Sequence, residues 1–144
     1  AEALVAEMSG EPEWIEERHR PLYHAALAIG ANHLVTLVAE AQDLLARAGV
    51  EHPSRMLGPL LGAALDNALR SGDAALTGPV ARGDAGTVAV HINELSQVSR
   101  EALAAYLAMS RLTADRALAA GLLDPERAEP LLDVLADRAN GARA

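Results

Sequence analysis

The residues best able to do chemistry fall into two groups and a scatter. His24 and Asn32 lie eight positions apart with Ala28 midway, and at 3.6 residues per turn these three line one strip of a helix. A small residue between two polar ones leaves a notch. An imidazole with an unperturbed pKa near about 6.5 both gives and takes a proton close to neutrality. His24 is therefore a candidate acid and base for interconverting a carbonyl and an alcohol, with Asn32 beside it. The bland reading of the same pair is two buried polar groups that hydrogen-bond to neighbouring helices.

The second group runs Ala75-Leu76-Thr77-Gly78-Pro79-Val80-Ala81-Arg82-Gly83-Asp84-Ala85-Gly86-Thr87-Val88, with His91 beyond it. Glycines ahead of a helix free backbone N–H groups, a helix start attracts anions, and an arginine adds a bidentate contact to a carboxylate or phosphate. Thr77, Gly78, Arg82, Gly83, Asp84, Thr87 and His91 are thus candidates for holding a small carboxylate. An ordinary helix connection, with Arg82 and Asp84 as a solvated pair, is the competing reading, although such connections are usually shorter. The scattered His19, His33 and His52 lack metal-ligand spacing, and no metal is expected.

These residues need elements to position them, and the chain reads as helix almost throughout. Pro21 suits a first turn and Gly49 a stop, giving one long helix to Ala48 that is apolar nearly all round in its first two-thirds. A second helix is expected from Pro53 to Arg70 with Pro59 kinking it, a third from Ala85 to Val98 capped by Asp84, a fourth from Ser99 to Ala120, and a short fifth after Asp124-Pro125. Asp73 to Gly86 is the least helical segment. Ahead of the long helix, Ala1 to Met8 has helical spacing, Ser9-Gly10 ends it, and Glu13 to Glu16 is strand-like. That order resembles the close of an α/β domain, so residues 1–17 are expected to be its remnant, 18–139 the helical domain and 140–144 a frayed tail.

Composition narrows the function. Twelve arginines, no lysine and a formal charge of −8 leave no basic face for nucleic acid and no lysine for a Schiff base. Zero cysteines exclude disulfides and thiolate zinc sites, and a cytoplasmic location is expected. Pro21 to Ala39 carries no charged residue, close to the length of a membrane span. Because His24, Asn32, His33 and Thr36 interrupt it, a helix covered by protein is expected instead.

The strings Arg20-Pro21-Leu22-Tyr23-His24-Ala25-Ala26 with Asn32-His33-Leu34, Leu57-Gly58-Pro59-Leu60 with Asn67, and Leu76-Thr77-Gly78-Pro79 through Arg82-Gly83-Asp84 with Thr87 and His91 resemble one family. It is the uncharacterised helical domain that follows a Rossmann-like domain in bacterial NAD(P)-dependent oxidoreductases. The resemblance implies an all-α fold around one long central helix, similar to the C-terminal domains of 6-phosphogluconate dehydrogenase, ketopantoate reductase and pyrroline-5-carboxylate reductase. It implies a homodimer and a small oxo or hydroxy acid substrate, ketopantoate or a similar 2-oxo acid among them. It also implies NAD(P) held by the preceding domain, with no cofactor site in this chain and no activity from this chain alone. His24 falls near the catalytic lysine of related hydroxyacid dehydrogenases and Asn32 near an asparagine, while Thr87 falls at a substrate-binding turn. The alternative is a purely structural dimerisation module.

Overall fold

The computed structural model describes residues 13–141. The chain divides into two compact units, Ala1–Pro53 and Ser54–Ala144.

The first unit is dominated by one helix, α1, Glu17–Arg47, of 31 residues and therefore about 46 Å long. It opens with a 3-10 turn over Glu17–His19, runs as α-helix over Arg20–Leu27, widens to a π turn over Ala28–Asn32 and resumes as α-helix over His33–Arg47. Gly30, the weakest helix former between Ala28 and Asn32, sits at the middle of the π turn. Gly49, with φ +89°, ends the helix in the left-handed conformation that only glycine adopts cheaply. No residue of α1 is buried; Leu22, Ile29 and Val35 are 72%, 65% and 69% exposed. By length and composition alone α1 is apolar enough to cross a membrane. Preceding it, Glu13 to Glu16 is irregular and not a strand, since a strand needs a neighbour to pair with and the described residues hold none. The expected helix before Ser9-Gly10 lies outside the described residues.

The second unit contains α2 (Pro53–Ser71), a 3-10 turn (Gly72–Ala75), α3 (Gly78–Ala81), α4 (Ala85–Val98), α5 (Arg100–Ala119) and α6 (Pro125–Gly141). Helices α3 to α6 pack on one another around Val80, Val88, Ile92, Leu107, Leu123, Leu131 and Leu135. Ala114, Ala117 and Ala128 join that core, and such small side chains let the helix axes approach closely. Ser99 accepts the Ala102 N–H at 3.0 Å and so caps α5. Arg111 reaches from α5 to the Leu135 carbonyl oxygen at 2.8 Å, and Arg116 ties α5 to Asp73 at 2.6 Å. By contrast, α2 has a single buried residue, Leu57, and leaves Met56, Leu60, Leu65 and Leu69 at least half exposed.

One sequence expectation changes in the second unit. The last helix is not short: it runs for 17 residues through Pro130, because Leu131 and Leu135 beyond that proline are fully buried and offset its missing hydrogen bond. The least helical segment contains a helical turn, α3. Helix α6 includes Asn140 and Gly141.

Candidate functional site

Asp84 organises the glycine-rich turn. Its Oδ1 accepts the Thr87 N–H at 3.0 Å and its Oδ2 accepts the Thr87 hydroxyl at 2.8 Å, so one carboxylate caps α4 with both oxygens. The Thr87 amide, then the Thr87 hydroxyl, hold the Asp84 carboxyl below its ordinary range of 3.8 against the opposing effect of burial, and Arg82 and Arg127 assist. An anion therefore already stands at the head of α4, and both Thr87 donors are engaged. Arg82 is exposed just before it.

Gly83 serves packing. Its φ is +69°, and a Cβ there would come within 2.8 Å of the Arg127 Cβ, 2.9 Å of a Leu123 methyl and 3.0 Å of the Arg127 carbonyl oxygen. The turn and the start of α6 can approach so closely only because residue 83 has no side chain. Gly78, with φ +89° and open space around it, is required by backbone conformation alone. Thr77, immediately before it, lines a different feature: an apolar groove of about 250 Å3 along α2, walled by Leu60, Ala64, Asn67, Ala68 and Leu76.

One turn beyond Thr87, His91 is exposed and its Nδ1 lies 3.0 Å from the Tyr106 hydroxyl on α5. The rings meet edge to face with centroids 5.8 Å apart. Burial pushes the Tyr106 hydroxyl up from its ordinary pKa, against a hydrogen bond with the buried Ser110 that lowers it. Sequence spacing gave no sign of this pair, since the partners are fifteen residues apart on separate helices.

In the first unit, His24 is exposed and lines a cavity of about 380 Å3 with Glu13, Trp14, Ile15, Arg20 and Tyr23. Its ring lies 5.6 Å from that of Tyr23, centroid to centroid. Arg20 is the residue that the sequence reading passed over: a guanidinium one turn from the imidazole, ion-paired to Glu17 at 3.1 Å and otherwise facing solvent. Asn32 closes the π turn, and its carbonyl oxygen accepts a hydrogen bond from the Thr36 hydroxyl at 3.4 Å. The π turn, with its i to i+5 bonding, lies between His24 and Asn32 on the same helix. His24 and Asn32 thus belong to one unit, and Thr77 to His91 to the other. Among the described residues no group of three or more His, Asp and Glu is placed to hold a metal ion.

Among the described residues the elements are all helical, with a carboxylate-capped turn in the second unit and one long, exposed helix in each unit. The chain belongs to the family described as Domain of unknown function (DUF2520), whose model matches residues 1–113. No curated protein and no solved structure matches it.

Proposed function

We propose that this chain is the dimerisation and substrate-binding domain of an NAD(P)-dependent oxidoreductase acting on a small oxo or hydroxy acid. The observation that carries the dimer is the exposure of α1: a helix of 31 residues with nothing buried leaves an apolar surface that a folded protomer does not present to water unaided. The kinship of the sequence supports the reaction class, with NAD(P) belonging to a Rossmann-like partner domain and supplying or taking up the hydride.

In this reading His24 moves the proton at the substrate oxygen, and the cavity it shares with Arg20 takes the carboxylate. Asn32 orients the substrate from the same helix. Of the turn residues, Thr77 and Arg82 keep donors for a ligand, while Asp84, Thr87 and Gly83 hold the turn in shape and His91 is held by Tyr106. The site is tested in the intact oxidoreductase by assaying His24→Gln. A drop in kcat of about a hundredfold or more at unchanged melting temperature is expected, the usual contribution of a positioned acid or base. Unchanged turnover would leave a structural dimerisation module, and vesicle binding by the wild-type chain would replace the dimer with a membrane-bound helix.

A further inference from the structure

Three polar side chains of the second unit form a line from its interior to its surface. Among the described residues Ser110, on α5, is the one buried polar side chain, and Ala114 and Ala117 fill the core at the next turns of the same helix. Alanine fills those places without a hydroxyl, and a hydroxyl in an apolar core is costly unless it is bonded. The bond of Ser110 is with Tyr106, one turn back, and it pulls the phenol down against the rise that burial causes. A hydrogen bond that favours the phenolate is one donated to the phenol oxygen. Ser110 therefore donates and the Tyr106 oxygen accepts, which leaves the Tyr106 proton for its other neighbour. That neighbour is His91 Nδ1 on α4, 3.0 Å away.

The direction of these bonds fixes the outer end of the line. A neutral imidazole that accepts at Nδ1 carries its own proton on Nε2. His91 is exposed, and its Nε2 has no partner among the described residues. The edge-to-face contact with the Tyr106 ring, centroids 5.8 Å apart, holds the imidazole plane as well. We propose that His91, held at Nδ1 by Tyr106 and through it by Ser110, presents its Nε2–H to a carboxylate oxygen of the small acid, an inference that rests on the substrate reading above. A carboxylate oxygen only accepts, so it can meet Nε2–H and not a bare ring nitrogen. Tyr106 and Ser110 are positioning residues, and all three side chains belong to the second unit.

The two ring nitrogens can be replaced one at a time. An asparagine amide falls where Nδ1 lies and a glutamine amide where Nε2 lies, so His91→Asn keeps the acceptor for Tyr106 and His91→Gln keeps the outer donor. Both variants are assayed in the intact oxidoreductase with ketopantoate and with pyruvate, beside Tyr106→Phe and Ser110→Ala. His91→Asn is expected to raise KM about tenfold or more with kcat and melting temperature near wild type, the pattern of a contact made in ground and transition states alike. His91→Gln is expected to melt earlier yet hold KM within about threefold of wild type. Tyr106→Phe and Ser110→Ala should raise KM in the same direction and by less. The inference is overturned if wild type uses either acid while His91→Asn leaves KM unchanged, a result that keeps the substrate reading and makes His91 only a tie between α4 and α5. It is also overturned if His91→Gln raises KM as much as His91→Asn. A wild-type protein that neither binds nor reduces either acid removes the substrate reading and the ligand of His91 together.

Discussion

Helices α4 to α6 and helices α1 and α2 are built from the same alphabet of Ala, Leu and Val, yet only the first set makes a core. Val88, Leu131 and Leu135 have no exposed surface, whereas Leu22 and Leu69 are 72% and 80% exposed. Helix length does not separate the two sets, since α5 with 20 residues is as long as α2 with 19. What differs is the provision for neighbours. Around α4 to α6 the chain supplies a cap at each start, a glycine where backbones meet and arginines that reach across. Along Pro21 to Ala39 of α1 and the groove side of α2 it supplies apolar surface with small residues, and no partner of comparable size within either unit. The first region has the chemistry of a folded interior, and the second leaves large apolar side chains exposed.

Substitutions that probe this contrast should differ in size accordingly. Leu131→Ala, in the packed set, is expected to cost about 2 to 5 kcal/mol, read by chemical denaturation. Leu69→Ala should change the stability of one protomer by no more than about 0.5 kcal/mol. Equal losses at the two positions would erase the distinction between core and interface. Next in size is Gly83→Ala. A left-handed backbone costs a residue with a Cβ about 1 to 2 kcal/mol, and displacing Arg127 and Leu123 adds about 1 to 3 kcal/mol. A melting temperature within a degree or two of wild type would show that the turn tolerates a side chain and that its glycine serves something other than packing. Ser99→Ala removes the cap of α5 and should cost about 1 kcal/mol.

The smallest effect is one of pH. Because the folded Asp84 carboxyl titrates below its ordinary value of 3.8, its contribution is fully present above that value and fades as pH falls through the lower folded one. Asp84→Ala should therefore differ most from wild type above about pH 4 and converge with it in stronger acid. Curves that stay parallel down to pH 2 would mean that the cap does not depend on the charge.

Much of this was legible in local signals. Pro21, Gly49, Pro53, Asp84 and Ser99 marked helix ends that the structure keeps to within a few residues, because caps and breakers act on the backbone beside them. What escaped depended on residues far apart in sequence or on balance within a helix. Nothing near Pro130 announces that burial of Leu131 and Leu135 carries α6 through it. The π turn at Ala28–Asn32 follows no residue pattern that a period of 3.6 would expose. The turn's residues were found, but not their division of labour. That Asp84 takes both Thr87 donors, and that Thr77 faces a groove on α2, are facts of three-dimensional packing.

The proposal that a second copy covers α1 is tested most directly by the mass of the chain in solution. Multi-angle light scattering at micromolar concentration should read about 30 kDa, twice 15.0 kDa, without change on modest dilution. A stable species of 15.0 kDa, with α1 still helical by circular dichroism, would contradict it.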